Sequence, residues 1–211
     1  MANRAFLMLN LSGDPNEEYA SEAVAVGASA CYPVLWWSLF SQADIVLRTE
    51  EWEDDEGNPV PVSFPCPMTS LTIARKRARP RQRLFFSYFP RTVEPIYLQW
   101  LTLLDGIDAP YLQINTGDVW GMSEPERSNA AIMTYVRAFD EGHVDDWVKL
   151  LGQVQIKLDR ETRTLTYVEG EFKNGYREYV YRELSEKEID EVIGYRLRGY
   201  SWERPVPWDN D

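Results

Sequence analysis

The chain has 211 residues, a length typical of one domain with a sizeable core. Its 44% hydrophobic and 13% aromatic content excludes a disordered chain. A formal net charge of −12 argues against general nucleic-acid binding and against attraction to anionic membranes; it favours a basic protein partner or serves solubility alone.

No apolar run approaches the length of a secretion signal or a membrane span, so we expect a cytoplasmic protein. The two cysteines, Cys31 and Cys66, lie among apolar residues and form no Cys-x-x-Cys pair. We therefore expect buried free thiols rather than a disulfide framework.

The N-terminal segments predict both strands and helices. The apolar run 5–11 predicts a buried strand, and the acidic, then Ala-rich residues 16–30 predict a helix interrupted near Gly27. Segment 33–40 begins with a proline and is apolar on every side, which is typical of a short buried helix. Residues 45–48 predict a strand that leads into an acidic run.

A proline-rich segment and a basic helix come next. Four prolines fall within residues 59–67, so this segment should be extended and should not be a central strand. Thr69 can cap the following helix, which carries a basic run at 75–83 and contains Pro80, a residue that breaks or kinks helices. In so acidic a chain we expect the basic run to pair internally rather than to bind nucleic acid.

The central region predicts two helices around a strand, then a third helix. Apolar residues on most faces of 96–104 predict a core helix, and 111–115 alternates as a strand does. Ser123-Glu-Pro-Glu126 has capping-box spacing before a helix that Gly142 ends. Residues 147–151 predict a further short helix.

The C-terminal third changes to a period of two. Residues 154–181 predict three antiparallel strands, with Asn174-Gly175 as a hairpin turn. Ser185 and Glu188 have the spacing of a second capping box, which would open a last helix.

These elements predict an α+β fold. We expect a single domain over residues 1–211, with an antiparallel β-meander in the C-terminal third packed against several helices. We also expect an acidic loop at about 50–58 and an extended tail at 201–211.

The most unusual stretch is an acidic run of six carboxylates around one tryptophan, closed by the turn residues Gly57-Asn58-Pro59. Six unpaired carboxylates cannot enter a core, so the run should lie in a solvated loop or a projecting strand end. Because charge steers a basic partner and an aromatic side chain anchors it, we predict partner-binding residues here: Glu50, Glu51, Trp52, Glu53, Asp54, Asp55 and Glu56. The alternative is a solvated loop whose tryptophan turns back into the core.

The other tryptophans divide by their surroundings. Trp36, Trp37 and Trp100 sit in apolar runs and are expected in the core. Trp202 and Trp208 lie among charges and prolines, where either an interface or a core position fits. We add these two to the predicted partner-binding residues.

A single histidine, His143, lies beside Asp145 and Asp146, and an aspartate can orient an imidazole in catalysis. No nucleophile elbow, Gly-rich phosphate loop or metal-ligand spacing accompanies it. A histidine in a turn between helices, with Asp145 as a helix cap, explains the same residues. We predict no catalytic residue, no metal and no cofactor, and keep an enzyme with a carboxylate/His site around 143–146 as an alternative.

The opening residues, Met1-Ala2-Asn3-Arg4-Ala5-Phe6-Leu7, resemble the start of a group of uncharacterised bacterial proteins that begin Met-Ala-Asn-Arg. These are accessory or immunity-like proteins of polymorphic toxin systems. The resemblance implies an acidic, cytoplasmic, non-catalytic protein that occludes the active site of a toxin. It carries over no contact residue.

Three functions are therefore considered. The first is an immunity protein that neutralises a cognate bacterial toxin, its acidic run mimicking an anionic substrate in a basic cleft. The second is the enzyme with a site around 143–146, and the third is a structural or regulatory subunit that binds through its C-terminal tail. For the first we expect a toxin domain with a basic surface as partner, and neither nucleic acid nor membrane.

Overall fold

The computed structural model describes residues 4–18, 24–159, 161–173, 176–185 and 188–200. Its strands are β1 (Arg4–Asn10), β2 (Val24–Ser29), β3 (Ile45–Glu53), β4 (Pro59–Ser70), β5 (Tyr111–Asn115), β6 (Ile156–Asp159), β7 (Thr164–Lys173) and β8 (Tyr176–Glu183). Its α-helices are α1 (Leu71–Tyr88), α2 (Glu94–Gly106), α3 (Gly117–Trp120), α4 (Pro125–Glu141), α5 (Val144–Gln153) and α6 (Gly194–Arg198). Short 3-10 helices span Val34–Leu39, Gln42–Asp44 and Arg91–Val93, and a π-helical turn spans Ile189–Ile193.

The predicted α+β class is confirmed. Strands β1 to β5 form one antiparallel sheet in the order β2-β1-β5-β4-β3. Buried side chains from this sheet, the helices and the C-terminal strands belong to one apolar cluster. The described chain therefore folds around a single core. None of its helices combines the length and the apolar character that a membrane span requires.

The predicted C-terminal meander is confirmed as the antiparallel sheet β6-β7-β8. The predicted turn at Asn174-Gly175 lies outside the described residues, although Lys173 and Tyr176 pair across it. The second capping box is also found: the Ser185 N–H donates to Glu188 Oε2 at 3.0 Å, and the Glu188 N–H donates to the Ser185 hydroxyl at 3.5 Å.

The helix predicted over 16–30 is wrong where the structure describes it, because residues 24–29 form β2. This strand pairs antiparallel with β1, and Val26 and Ala28 are buried there. The helix preference of alanine is weak beside the hydrogen bonds and burial that a free strand edge offers. Gly27 also exchanges two backbone hydrogen bonds of 3.0 Å with Tyr200, so the last described residue is attached to this sheet.

The prediction that residues 59–67 are extended and do not form a central strand is confirmed: among the described strands this part of β4 pairs with β3 alone, although β4 as a whole lies between β5 and β3. The four prolines share one strand edge, since all are an even number of residues apart: Pro59, Pro61, Pro65 and Pro67. Thr49 of β3 pairs with Ser63 of β4. Its N–H points away from β4 and donates to Asn16 Oδ1 at 2.8 Å. The proline edge, which Ser63 shares, therefore faces away from β3. Pairing with β5 begins only at Met68, so none of the prolines occupies a position whose backbone N–H would have to bond to β3 or β5.

The N-terminal cap of helix α1 lies one residue after the predicted cap, Thr69. Ser70, the last residue of β4, accepts the N–H of Ile73 at 3.4 Å, so the cap is Ser70 and not Thr69. The helix continues through Pro80 without a break. Phe85, on the far side of the proline, is fully buried, and such packing offsets the one hydrogen bond that proline cannot donate.

Two other predicted caps are wrong. Ser123 makes no capping bond to α4, whose cap position is Glu124, because Ser123 closes the turn after α3 by donating its N–H to Trp120 at 3.5 Å. Asp145 lies within the first turn of α5, whose cap position is His143. The helix that ends at Gly142 is found, with that glycine in the left-handed conformation.

The predicted core tryptophans are confirmed. Trp36, Trp37 and Trp100 are fully buried, and the 3-10 helix Val34–Leu39 that carries two of them is buried along its whole length. The helices predicted at 96–104 and 147–151 and the strand at 111–115 are found as α2, α5 and β5.

Candidate functional site: the acidic hairpin

The acidic run lies at the end of a β-hairpin made of β3, β4 and the turn between them, here called the acidic hairpin. Its two strands pair along the whole length of β3, from Ile45 to Glu53. Asp54 closes the turn: its N–H donates to the Asn58 carbonyl at 3.0 Å, and its carboxylate accepts the Asn58 N–H at 2.8 Å. Gly57 supplies the left-handed conformation the turn needs, with φ +81°. The acidic residues are therefore presented on an ordered support.

Because β3 continues past Arg48, strand alternation divides the acidic run between two faces. Arg48, Glu50 and Trp52 are buried or half-buried and face the protein, whereas Glu51 and Glu53 are exposed. The predicted acidic loop at 50–58 is thus a strand end followed by a short turn.

One carboxylate of the run is neutralised inside the hairpin. Arg48, which is 7% exposed, donates from Nε to Glu50 Oε1 at 2.6 Å. Its Nη1 donates to the carbonyls of Pro15 and Glu17 at 2.5 and 3.2 Å. Glu50 therefore supplies the countercharge of a buried guanidinium, and a partner would not find it free.

Trp52 packs against the protein rather than standing free among the carboxylates. Its ring centroid lies 6.1 Å from that of Phe64 and 5.9 Å from that of Trp120, and its Nε1–H donates to Glu50 at 3.4 Å. Because the indole is only half-buried, its exposed edge can still contribute to a contact. Its larger effect is to hold the hairpin against the body of the protein.

The remaining carboxylates carry uncompensated charge. They are exposed, and none forms an ion pair with a residue in the described ranges: Glu51, Glu53, Asp54, Asp55 and Glu56. Hydrogen bonds from the backbone of Asn58 hold the pKa of Asp54 below its usual range, so this group stays ionised even in mild acid.

The basic run of α1 is compensated elsewhere. The predicted internal pairing is found, but its partners are not the acidic run: Arg77 pairs with Asp44, Arg79 with Asp105, and Arg81 with Asp140. Arg75 instead donates to three backbone carbonyls at the C-terminal end of α2, those of Leu104, Asp105 and Ile107. Four of the six cations of the basic run thus bind groups outside the acidic hairpin.

The alternative site around 143–146 brings His143, Asp145 and Asp146 to one open cavity of about 550 Å³, but no hydrogen bond joins the imidazole to either aspartate in the described ranges. His143 is exposed, and its Nε2 lies 2.9 Å from Glu141 Oε2. Asp146 instead accepts two hydrogen bonds of 2.6 and 2.8 Å from Arg137, which lower the pKa of this carboxyl. Within the described ranges no hydroxyl or thiol is hydrogen-bonded to His143, and no group of three histidine, cysteine or acidic side chains could hold a metal ion. This arrangement provides no activated nucleophile.

The other predicted contact residues, Trp202 and Trp208, lie outside the described residues, as does the whole tail 201–211. The third function, binding through this tail, therefore has no structural counterpart to describe.

Two cavities were not predicted from the sequence. An apolar groove of about 590 Å³ lies between α5 and the meander, where Tyr179 and Tyr181 are each 60% exposed and Lys157 Nζ lies 4.9 Å from the Tyr181 ring centre. A smaller cavity of about 320 Å³ adjoins Arg196 of α6. The alternating tyrosines of β8 are a sequence signal for the apolar groove. The cavity beside Arg196 has no such signal, because it depends on contacts between segments that are distant in sequence.

Comparison of the chain with protein-family models, with curated proteins and with solved structures finds no match.

Proposed function

We propose that this chain is a non-catalytic protein-binding protein whose acidic hairpin contacts a basic surface of its partner. One observation carries the proposal: five exposed carboxylates project from an ordered hairpin without any cation of the described chain against them, while four of the six cations of the basic run bind other groups. Such a surface lowers its electrostatic energy when a partner supplies positive charge.

The hairpin geometry suits contact with a groove. Glu51 and Glu53 lie on the same strand face, about 7 Å apart along the strand, and Asp54, Asp55 and Glu56 continue the row around the turn. A row of negative groups on a narrow projection can enter a basic cleft that a flat acidic surface could not. The packing of Trp52 against Phe64 and Trp120 keeps this projection rigid, which reduces the entropy lost on binding.

The partner we propose is a toxin domain with a basic substrate groove, and the role is that of an immunity protein. The acidic row would occupy the groove in place of an anionic substrate and so occlude the active site. The net charge of −12 would accelerate encounter with a basic partner over distances comparable with the Debye length, about 10 Å at 0.1 M salt. The rate of association should therefore fall as the salt concentration rises.

The test compares capture by three forms of the full chain from a lysate of the native cells. The hairpin variant carries Glu51→Gln, Glu53→Gln, Asp55→Asn and Glu56→Gln; it keeps Asp54 for the turn and Glu50 for Arg48. A matched control removes the same number of exposed charges elsewhere: Asp108→Asn, Glu126→Gln, Glu161→Gln and Glu183→Gln.

We expect one basic protein to be retained in stoichiometric amount by the native chain and by the control, and lost by the hairpin variant. The native chain should then inhibit the enzymatic activity of that protein at a ratio of one to one. Equal retention by all three forms, or no retention by the native chain at low salt, would overturn the proposed function.

A further inference from the structure

A polar cavity of about 320 Å³ lies between the end of β2, the end of α5 and α6. It is lined by Ser29, Ala30, Gln153, Gln155, Tyr195 and Arg196. Its volume falls at the lower end of the range of small-molecule pockets, about 300 to 1,000 Å³. The cavity is remote in sequence from the acidic hairpin, and the inference below does not rest on the proposed function.

Arg196 is the charged group of this cavity, and its hydrogen-bond partners are all neutral. Its Nη1 lies 3.5 Å from Cys31 Sγ, and its Nη2 donates to Gln155 Oε1 and to the Tyr167 hydroxyl, both at 3.1 Å. A guanidinium has five N–H donors. Two of those on Arg196, the Nε–H and one on Nη1, have no acceptor among the described residues.

Arg196 lacks the carboxylate that three other arginines removed from solvent have beside them. Arg48 has Glu50, Arg77 has Asp44 and Arg81 has Asp140. Arg196 is half-buried as well, yet it forms no ion pair with any carboxylate of the described ranges. A buried positive charge without a countercharge is unfavourable, so an added anion would be stabilising there.

The backbone around the cavity is strained at two positions. Of the three non-glycine residues with positive φ in the described ranges, two line this cavity: Ala30 at φ +55° and Gln155 at φ +60°. Gln155 follows the end of α5, a position where glycine is the usual residue. Its side chain explains the exception, because the amide oxygen holds both Arg196 and Tyr167 in place. Strain of this kind is concentrated at binding and active sites.

We propose that this cavity is a binding site for a small anion, a carboxylate or a phosphate, with Arg196 as its countercharge. Gln155 and Tyr167 act as positioning residues, since their hydrogen bonds to Nη2 hold the guanidinium in place. The net charge of −12 repels anions at long range. Recognition must therefore come from the guanidinium inside the cavity.

The experiment measures thermal unfolding of the full chain in sodium phosphate and in sodium acetate, each against sodium chloride at matched pH and ionic strength. When the anion concentration is ten times Kd, we expect the midpoint temperature of unfolding to rise by about 3 to 6 °C. Arg79→Gln, which removes an exposed arginine paired with Asp105, should show the same rise. Arg196→Gln should show none.

The outcomes separate the possible sources of the effect. A rise with phosphate alone or with acetate alone assigns the ligand to that class. Phosphate also stabilises proteins because it is excluded from their surface, but this effect would raise the unfolding midpoint of all variants equally. If Arg196→Gln does not fold, Arg196→Lys keeps the charge without the planar fork, and calorimetry should give a Kd at least tenfold weaker than that of the native chain. No anion-specific rise in the native chain, or an equal rise in the Arg196 variant that folds, would overturn the proposal.

Discussion

The indole ring of Trp52 covers Gly121, the residue that ends α3, so closely that a Cβ on Gly121 would lie 2.8 Å from Cη2 of the ring. This contact joins the acidic hairpin to the segment after β5. The φ of Gly121 is −67°, which any residue can adopt, so the glycine is required by the contact and not by the backbone.

Gly121→Ala should therefore act through the hairpin. We expect the added methyl group to displace Trp52 and to lower the free energy of unfolding by about 1 to 3 kcal/mol. Urea unfolding followed by tryptophan fluorescence measures both the loss of stability and the altered environment of the indole. The matched control is Gly106→Ala at the end of α2, where a Cβ would meet nothing within 4 Å. Equal effects of the two substitutions would show that Trp52 does not depend on this contact.

Arg79 and Arg81 both lie in α1 but should differ in their contribution to stability. Arg81 is 13% exposed and binds Asp140 and the carbonyls of Ser38 and Phe40, whereas Arg79 is 61% exposed and, among the described residues, binds only Asp105. We expect Arg81→Ala to lower the free energy of unfolding by about 2 to 4 kcal/mol, because it leaves two backbone carbonyls without this donor and the Asp140 carboxylate without its countercharge. Arg79→Ala should cost less than about 1 kcal/mol. Similar losses in urea unfolding would contradict the assignment of Arg81 as a structural residue.

The parts of the fold that the sequence predicts are those with a periodic signal of their own. Alternating apolar residues predict the meander, and Ile132, Val136 and Phe139 at helical spacing predict α4, in which all three are buried. β2 has no such signal. Val24–Ser29 consists mostly of small residues, and it becomes a strand because β1 offers an unpaired edge.

The sequence predicts the candidate site only in part, because only some of its features have a signal in the sequence. Composition alone identifies the acidic run, but the burial of Glu50 depends on Arg48 facing inward, and the position of Trp52 depends on Gly121, far away in sequence. The unpaired state of Arg196 could not be predicted at all. With 34 acidic residues in the chain, only the tertiary structure decides which arginine has no carboxylate beside it.

Asp146 should make stability depend on pH in the acid range. Two hydrogen bonds from Arg137 lower the pKa of this carboxyl in the folded chain. A group whose pKa is lower when folded stabilises the protein above its unfolded pKa, about 3.9, and loses this effect as the pH falls through the folded pKa. Asp146→Asn should therefore be less stable than the native chain at pH 7 and lose less stability on acidification.

Urea unfolding at several pH values between about 2 and 7 measures this difference. Asp108→Asn serves as the control, because Asp108 is exposed and forms no ion pair in the described ranges. Its acid dependence should match that of the native chain. If the Asp146→Asn curve also ran parallel to the native curve, the contact with Arg137 would contribute nothing to the pH dependence.

Both cysteine thiols should be protected by the fold. Cys66 is fully buried and accepts a hydrogen bond from Gln113 Nε2 at 2.8 Å; burial raises the pKa of its thiol to about 12. Burial also raises the pKa of Cys31, although Arg196 opposes this shift. Because the thiolate is the reactive form, we expect Cys66 of the native chain to react with a disulfide reagent at pH 8 on the order of a thousandfold more slowly than in the urea-unfolded chain, and Cys31 also to react more slowly than when unfolded. Single Cys→Ser variants assign each rate, and a rapid reaction of either thiol in the native state would show that its segment opens without global unfolding.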